Sequence, residues 1–281
     1  MAERCYLEIT NVCNLKCRFC PGHDRAGRFM SFPEFDALTD RLRGQVKFLY
    51  FHLMGEPTLH PLLPQFIGVA REKGFIPVLT TNGTRLSAGL AQEAAGRGLY
   101  KANISLHSLE GNGLTEMENY VRGVMAFSLE ASSSGVIVVL RLWNRGGYDT
   151  QNEALLDLVA QHVPRPWTGR ADGWRLAQNL FIEYDSMFSW PDSDGDECGD
   201  SGVFCHALRN QIGVLADGRV VPCCLDHDGD MALGNLFDNT LEKILASDRA
   251  RAIYDGFSRH EAVEPLCRTC GYANVTKRFR R

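Results

Sequence analysis

The sequence contains no apolar run long enough to cross a bilayer, and no charged segment followed by an apolar one stands at its beginning. These absences argue against a membrane span and a secretory signal, so we expect a cytoplasmic protein. An excess of one charge is also lacking, because the formal net charge is only -4 over 281 residues. Such a balance argues against a broad phosphate-binding surface, and hence against nucleic acid as a partner, although the basic tail Lys277–Arg281 could touch an acidic partner.

The ten cysteines are the most unusual part of the composition. An apolar share of 44% and a charged share of 23% are typical of a globular chain that can bury a full core. Disulfides are rare in a reducing compartment, and these cysteines are grouped at C-x3-C-x2-C and C-x2-C spacings. The grouping indicates metal ligands.

Three of the cysteines, Cys13, Cys17 and Cys20, follow directly behind the short apolar run 6–9. Thiolates this close must share one centre. A tetrahedral zinc site needs four ligands, whereas a four-iron cube can keep three irons on cysteine and leave the fourth without a protein ligand. An open iron can bind a small chelating molecule and exchange electrons with it, so the spacing favours a reactive cluster. The alternative is a ferredoxin-type or zinc loop that recruits Cys5 as its fourth ligand.

Apolar strands alternate with amphipathic helices over the first two thirds of the chain. Runs without internal alternation suit strands that are buried on both faces of a parallel sheet, and Ser31 is placed to cap the first helix. Six parallel strands joined by right-handed helical crossovers form either a barrel or an open doubly wound sheet, and the pattern allows both. The predicted strands are 6–9, 46–53, 75–80, 101–106, 136–142 and 180–184, and the predicted helices are 31–42, 61–73, 87–95, 114–131, 151–162 and, near the C-terminus, 241–254.

The first cysteine group, with the aromatic Phe19 just before its last member, resembles the signature of the radical S-adenosylmethionine (SAM) enzymes. In that family the amino and carboxylate groups of SAM chelate the open iron of a [4Fe–4S] cluster, and an electron from the reduced cluster splits the sulfonium to release a 5′-deoxyadenosyl radical. The resemblance implies SAM as a cofactor, Phe19 among the cofactor-binding residues, and an electron donor such as flavodoxin or ferredoxin. It also implies an α/β fold, a partial (β/α)6 TIM-like barrel with a small C-terminal domain.

Polar residues stand at the ends of the predicted strands, where the functional groups of such folds meet. Gly55, Glu56 and Pro57 follow the second strand and resemble the family's glycine–glutamate–proline motif, whose backbone binds the SAM amino group. Asn82 follows the third strand and resembles the family's polar strand end. Ser105 ends the fourth strand, where a side chain of the family usually meets the ribose.

Arg141 and His107 carry two further expectations. Arg141 closes the apolar run 136–140, and a buried arginine is costly unless it meets an anion. The SAM carboxylate is the anion that the resemblance supplies, and a structural ion pair is the alternative. His107, just past Ser105, is as well explained by a satisfied core histidine as by a ligand contact.

Four more cysteines form a second group near the C-terminus. Cys205 precedes and Cys223 closes a predicted hairpin over 212–221, whose strands join at Asp-Gly, and Cys267 and Cys270 follow later. The arrangement C-x12-G-x4-C followed by C-x2-C resembles the twitch domain of radical SAM enzymes, a shortened relative of the SPASM domain. It implies one auxiliary [4Fe–4S] cluster on these four residues, with a four-cysteine zinc ribbon as the alternative.

The end of the sixth predicted strand marks a domain boundary. We expect a radical SAM barrel over 1–186 and an auxiliary-cluster domain, a β-hairpin plus a helix, over 187–281. Asp185 is predicted as the catalytic residue, because a carboxylate there could accept a proton once a substrate hydrogen atom has gone. Trp190 could face substrate or pack the two domains together. The eleven residues after Cys270 hold no cysteine, so the ligands of a second auxiliary cluster are expected to be absent.

Three cysteines stay outside the predicted ligand sets. Cys5 on the first strand is interpreted as a small buried apolar residue, and Cys198 as a spare loop thiol. Cys224, beside Cys223, could exchange places with its neighbour but is left out of the set.

An auxiliary cluster can accept the second electron that a substrate loses. The sequence therefore predicts an oxidoreductase that abstracts a hydrogen atom through the adenosyl radical and passes an electron to the auxiliary cluster, in a net dehydrogenation or cross-linking of a small molecule or short peptide. A small molecule is favoured, because the first strand begins too close to Met1 to leave room for a leader-recognition domain. The alternatives are a peptide- or protein-modifying maturase and, in another class, an iron–sulfur electron carrier or redox-sensing binding protein that never cleaves SAM.

Overall fold

The computed structural model describes residues 2–112, 116–192, 195 and 205–272. Its strands are β1 (Arg4–Leu7), β2 (Phe48–Tyr50), β3 (Ile76–Thr81), β4 (Lys101–Ser105), β5 (Ile137–Arg145), β6 (Thr168–Arg170), β7 (Gly173–Ala177), β8 (Leu180–Ser186), β9 (Gln211–Val214), β10 (Arg219–Val221) and β11 (Gly234–Asn235). Its α-helices are α1 (Phe32–Leu42), α2 (Leu63–Glu72), α3 (Ala88–Gly96), α4 (Ser108–Gly111), α5 (Met117–Ser133), α6 (Asn152–His162), α7 (Leu241–Leu245), α8 (Asp248–Ser258) and α9 (Pro265–Arg268). A short 3-10 helix, Pro57–Leu59, follows β2.

Within the described residues, the strands form one sheet in the order β11-β10-β9-β1-β2-β3-β4-β5-β8-β7-β6. Strands β1, β2, β3, β4, β5 and β8 are successive parallel neighbours, and helices lie between them in the chain. These are the six strands that the apolar runs predict. Uninterrupted apolar runs predict these strands because the strands of a parallel sheet are buried on both faces.

The parallel part of the sheet curls around an open space, here called the lumen. Trp190, four residues after β8, packs on a cluster that includes Leu215, which directly follows β9, although five strands separate β9 from β8 in the sheet. Groups this far apart in a flat sheet could not interact, so the sheet is curved. The predicted fold class, an α/β partial barrel, is confirmed.

Side chains on the strands alternate between the two faces. On β1, Cys5 and Leu7 are fully buried on the outer face, whereas Tyr6 is only half-buried. Cys5 is therefore a small core residue, as predicted. At the start of α1, the Ser31 side chain accepts from the Glu34 N–H and the Glu34 carboxylate accepts from the Ser31 N–H, so the predicted cap is a full capping box.

Some elements differ from their predicted bounds. The single helix predicted over 241–254 is two helices, because the Ser247 side chain accepts from the Ala250 N–H and starts α8 anew. Strand β2 is shorter than the predicted 46–53. The start of the helix predicted over 114–131 lies outside the described residues, and α5 begins at Met117.

Two pairings extend the sheet beyond the predicted strands. The antiparallel hairpin of β6 and β7 pairs with β8, and β9 pairs in parallel with β1. The predicted hairpin over 212–221 is present as β9 and β10, and Gly218 in its turn has φ +85°. The C-terminal hairpin is thus continuous with the barrel sheet. In the described part of the chain, no helix is both long enough and apolar enough to cross a membrane.

Candidate functional site

The loop that follows β1 carries the first cysteine group. It leaves the sheet at Ile9 and returns at Met30, whose N–H donates to the Ile9 carbonyl at 2.8 Å. Cys13, Cys17 and Cys20 all line one cavity of about 550 Å³ beyond the C-terminal ends of the parallel strands. The structure brings the three thiols together, as their spacing predicts.

The surroundings of these thiols suit an iron–sulfur cluster. Cys17 is partly buried, and the desolvation raises its pKa to about 11, so a bound metal would favour its thiolate, whereas Cys13 and Cys20 are exposed. Two side-chain amides point at sulfur, with Asn82 Nδ2 3.9 Å from Cys13 Sγ and Asn112 Nδ2 3.0 Å from Cys17 Sγ. Cys5 is fully buried outside this cavity, so it is not in place as a fourth ligand.

Asn112 is a residue of this site that the sequence analysis missed. Its side-chain oxygen accepts from the Lys16 N–H at 2.8 Å, and its amide donates to the Ser108 carbonyl at 2.7 Å as well as to Cys17. Asn112 thereby fixes the cysteine loop against the end of the fourth parallel strand. Its contacts with Cys17 and Lys16 lie 95 and 96 residues away in the chain, and no local pattern indicates them.

The turn after β2 lies directly against the base of the cysteine loop. Gly55 has φ +74°, and a Cβ placed on it would lie 2.3 Å from the Thr10 carbonyl oxygen. The next N–H, that of Glu56, donates to the Val12 carbonyl at 2.9 Å. Only glycine permits this approach, so the turn and the loop form one wall of the cavity.

The Glu56 carboxylate is used within the protein. It accepts from the N–H and hydroxyl of Thr58 at 3.0 and 2.7 Å, from the Thr81 hydroxyl at 2.6 Å and from the Asn82 N–H at 2.6 Å. Burial raises its pKa, although these four donors act the other way. The side chain thus ties the turn to the end of β3 and is not available to a ligand.

Asn82 anchors the cysteine loop from the end of β3. Besides its contact with Cys13, its amide donates to the Asn14 side-chain oxygen at 2.9 Å. Its own side-chain oxygen accepts from the N–H and hydroxyl of Thr84. Asn82 therefore lines the cavity through an amide that is already oriented.

Phe19 also lines the cavity, and it packs tightly on α4. A Cβ on Gly111 would lie 2.4 Å from the Phe19 ring, and the ring of His107 lies 5.2 Å away between centroids. His107 is buried and does not line the cavity, its Nδ1 lies 3.0 Å from the Arg141 carbonyl, and burial lowers its pKa to about 4. Of its two interpretations, the structure places His107 as a core residue that supports Phe19.

Ser105 lines the cavity, whereas Arg141, its neighbour in register on β5, does not. The Arg141 Nε is buried without a hydrogen-bond partner, and the guanidinium lies 4.1 Å from the Trp143 ring centre. Burial lowers the pKa of Arg141 against the attraction of Glu183. In the described part of the chain Arg141 forms no ion pair within 4 Å. Its charge is therefore available to an anion beside the cavity. Pro57 begins the 3-10 helix outside the cavity lining.

The second cysteine group lines a separate cavity of about 210 Å³. Its members come from three segments: Cys205 precedes β9, Cys223 follows β10, and Cys267 and Cys270 lie on and just after α9. Burial raises the pKa of Cys205 to about 11 and those of Cys223 and Cys267 further. Among the residues described, no three cysteine, histidine or acidic side chains converge on a point as a single ion requires. Four thiols around one enclosed space can hold a four-iron cluster.

Cys224 does not line this second cavity. It packs with Trp190 against a small cluster that includes Leu53, Met54 and Leu215. That Cys224 is not a cluster ligand stays a prediction. Cys198 lies outside the described residues.

The segment after β8 packs on the second cysteine group. A Cβ on Gly271 would lie 2.6 Å from the Ser189 carbonyl oxygen, and the rings of Phe188 and Tyr272 lie 5.2 Å apart. Trp190 packs against Phe188 and also lines the first cavity. It therefore lies both at the packing contact and at the cavity, the two positions that the sequence allows for it. Asp185 remains partly exposed at the end of β8, and its Oδ1 accepts from the Ser186 N–H at 2.7 Å.

Comparison with known proteins identifies the family. The family model described as "Radical SAM superfamily" matches residues 7–164, which is more than half of the chain. A second one, described as "Iron-sulfur cluster-binding domain" (SPASM), matches residues 205–271. The first match spans the first cysteine group and the second match spans the other.

Curated relatives match to very different extents. The chain is 23% identical to the S-adenosyl-L-methionine-dependent 2-deoxy-scyllo-inosamine dehydrogenase of Niallia circulans, over 96% of this chain and 92% of that protein. It is 27% identical to the GTP 3′,8-cyclase of Chlorobaculum tepidum, over 79% of this chain and 78% of that protein. A match of 34% identity to the tungsten-containing aldehyde ferredoxin oxidoreductase cofactor-modifying protein of Pyrococcus furiosus covers 34% of this chain and only 28% of that protein. The match thus spans well under half the length of that last relative.

Solved structures share the fold. BtrN in complex with AdoMet (SAM) and 2-DOIA has a TM-score of 0.62 and 18% identity, and the match covers 96% of this chain and 93% of that one. The enzyme anSMEcpe with bound AdoMet has a TM-score of 0.68 and 14% identity, over 97% and 86% of the two chains. With the family model matching more than half of its length, the chain belongs to the radical SAM superfamily and carries a SPASM-type iron–sulfur cluster-binding domain.

Proposed function

We propose that this radical SAM enzyme is an oxidoreductase that dehydrogenates or cross-links a small molecule or short peptide and disposes of an electron at its auxiliary cluster. The observation that carries the proposal is the second cavity, which four cysteines from three segments line together. Tyr6 lines that cavity too, and its ring packs edge-on against His52, which lines the first cavity. Two aromatic side chains, Tyr6 and His52, would thus separate a cluster held by the four cysteines from the first cavity, close enough for the cluster to accept an electron from a substrate.

The residues around the first cavity are proposed to bind SAM. Gly55 and Glu56 would present backbone carbonyl oxygens to its amino group, because the carboxylate and the N–H of Glu56 are already taken. Ser105 would meet the ribose, and Phe19 and Asn82 would hold the shape of the site. All five line the cavity with the three cysteines.

Two further residues complete this proposed site from outside its lining. Pro57 stiffens the turn after Glu56, because its ring fixes φ. Arg141 would bind the SAM carboxylate, since its buried guanidinium has an unpartnered Nε and no ion pair among the described residues.

The two domains indicate which chemistry the cofactors supply. When bound, SAM on the reduced first cluster supplies a 5′-deoxyadenosyl radical, and the auxiliary cluster supplies an electron acceptor. Asp185 is proposed to take the proton, so that an oxidised substrate carbon gives up a hydrogen atom, a proton and an electron in total. One of its oxygens is held by the Ser186 N–H, which fixes the other for a substrate. An external donor such as flavodoxin or ferredoxin would deliver the electron that starts each turnover.

A small-molecule substrate is favoured by one comparison. The relative that matches nearly end to end in both chains is named for dehydrogenation of 2-deoxy-scyllo-inosamine, an aminocyclitol. This nearly end-to-end match supports a compact polar substrate for this chain too. We also propose that the domains meet near 186, where β8 ends and the segment that packs on the second cysteine group begins.

An anaerobic turnover assay tests the proposal. Protein loaded with iron and sulfide is reduced with dithionite and given SAM with aminocyclitols in one series and with cysteine- or serine-containing peptides in another. We expect one 5′-deoxyadenosine for each product that is lighter by two hydrogen atoms, and we expect Cys267→Ala/Cys270→Ala to cleave SAM without forming product. Full product from that variant would contradict the role of the auxiliary cluster. Reaction with peptides alone would make the enzyme a maturase.

A further inference from the structure

Glu8 and Arg25 form a buried ion pair that the proposed chemistry does not use. Glu8, the residue after β1, has no exposed surface, and the Arg25 side chain is 12% exposed. The two Glu8 oxygens accept from Arg25 Nη1 and Nη2 at 2.6 and 2.7 Å. A pair so deeply buried is tolerated only where its geometry is good and further hydrogen bonds complete it.

The same carboxylate accepts two backbone N–H groups from distant segments. The Met54 N–H donates to Glu8 Oε1 at 3.1 Å, and the Ala216 N–H donates to Oε2 at 2.9 Å. Met54 immediately precedes Gly55 in the turn that walls the first cavity, and Ala216 lies in the turn between β9 and β10. One side chain thus joins the cysteine loop, the Gly55 turn and the hairpin between Cys205 and Cys223.

Arg25 continues this connection toward the auxiliary cavity. Its Nε donates to the His227 carbonyl at 2.9 Å, and the neighbouring Asp24 N–H donates to Asp228 Oδ1 at 2.9 Å. The segment that contains these partners runs on to Met231, whose sulfur lies 3.6 Å from that of Cys267. The cysteine loop is therefore held from its far side by the segment that borders the second cysteine group.

We propose that Glu8, with Arg25, is a positioning residue that sets the affinity of the SAM site by holding the Gly55 turn in register with the cysteine loop. Glu8 does not line the first cavity, so it acts through Met54 and Arg25 and not by contact with SAM. Gly55 has no room to move toward Thr10, so the turn cannot absorb a small shift of Met54 at this point. Such a shift therefore changes the position of the backbone groups offered to the SAM amino group. Loss of the pair should therefore weaken SAM binding while the cysteines still assemble their clusters.

Two variants and one matched control separate positioning from general stabilisation. Glu8→Gln removes the charge that both Arg25 and the two N–H groups use, and Arg25→Lys keeps the charge but loses the bidentate contact. The control is Arg28→Lys with Glu34→Gln, a pair that joins the same loop to α1 at 2.5 Å with side chains about one third exposed. It has no contact with the Gly55 turn.

The dissociation constant of SAM is measured from the change that SAM produces in the electron paramagnetic resonance signal of the reduced cluster. Iron content is measured in parallel, together with amide hydrogen exchange at Met54 and Ala216. The hydrogen exchange is also measured in cluster-free protein. We expect Glu8→Gln to weaken SAM binding by about tenfold or more, with wild-type iron content and faster exchange at both amides. Arg25→Lys should show a smaller loss, and the control should stay within about twofold.

SAM affinity within about twofold of wild type in both Glu8→Gln and Arg25→Lys would overturn the inference, as would an equal loss in the control. Should Glu8→Gln fail to fold, Arg25→Lys decides alone, because it leaves no buried charge unpaired. The inference rests on SAM binding in the first cavity and not on the substrate. If the cluster signal of the wild-type protein does not change with SAM, the proposed SAM site and this inference are both overturned. That result differs from one in which the variants respond to SAM as the wild type does.

Discussion

Gly55 and Thr10 approach so closely that a Cβ on Gly55 would lie 2.3 Å from the Thr10 carbonyl oxygen. This contact fixes the turn after β2 against the loop that carries Cys13, Cys17 and Cys20. Any side chain at position 55 would separate the two walls of the first cavity. The glycine is required here for space as well as for its backbone angle.

Gly55→Ala should destabilise the protein more than Gly44→Ala. Both glycines have φ +74°, so both variants carry the left-handed cost of about 1–2 kcal/mol. Gly44 has nothing within 4 Å of a Cβ, so only Gly55→Ala adds a clash, which should cost about 1–3 kcal/mol more. Urea unfolding of the two variants measures the difference. Equal losses would mean that the close approach is absent.

Arg141→Met should weaken SAM binding without lowering stability. Removing a buried, unpaired charge should leave the melting temperature unchanged or raise it. Removing a charged donor from the SAM carboxylate should weaken SAM binding by about tenfold or more. Thermal unfolding and a SAM titration of the reduced protein give the two values. Arg145→Met, which alters an exposed arginine farther along β5, is the control. A variant that is less stable and binds SAM normally would indicate a structural ion pair instead.

Iron analysis distinguishes the two interpretations of the second cysteine group. An anaerobically reconstituted sample should contain about eight irons per chain, from two four-iron clusters. Cys267→Ala/Cys270→Ala should contain about four, because the first cavity does not depend on these residues. Iron, sulfide and zinc contents measure this. About four irons with one zinc in the wild type would establish the zinc ribbon.

His60 should make part of the stability dependent on pH. Its Nδ1 accepts from the Leu62 N–H at 3.1 Å and its Nε2 lies 2.9 Å from the Met30 carbonyl, so the folded chain uses the neutral ring. Burial lowers the pKa of His60 below its ordinary value of 6.5. The unfolded chain therefore binds a proton that the folded chain does not, and stability falls as the pH drops below about 6.5.

The variant His60→Gln should lose this part of the pH dependence. The difference in unfolding free energy between wild type and His60→Gln should be largest above pH 6.5 and should narrow as the pH falls. Urea unfolding on both sides of this pH measures it, with the exposed His162→Gln as the control. A difference that stays constant with pH would show that the ring is not held neutral.

The fold and the ligand sets are predictable from sequence because their signals are local. The parallel strands are apolar runs of a few residues, and the ligands sit at short spacings such as 13–20 and 267–270. The prediction of two iron–sulfur sites rests on these spacings together with the resemblance to the radical SAM enzymes. The contacts of Glu8 do not, because it stands inside the apolar run 6–9 while Arg25 and Ala216 lie 17 and 208 residues away. A buried carboxylate with remote partners leaves no pattern in its own neighbourhood.

The sequence patterns also do not predict the edge strands of the sheet or the break between α7 and α8. Strands β6 and β7 consist mostly of exposed residues and show no apolar run that could mark them. The pairing of β9 with β1 joins the two ends of the chain, and no local pattern specifies such a partner. His107 had two equal interpretations until its contact with Phe19 placed it in the core.

Incubation of the reduced, iron-loaded protein with SAM alone tests the open iron at Cys13, Cys17 and Cys20 most directly. We predict that 5′-deoxyadenosine forms, as measured by liquid chromatography with mass detection, and that Cys17→Ala abolishes it. A protein that contains its full complement of iron and leaves SAM intact would contradict the assignment, because the fourth iron would then be closed to SAM.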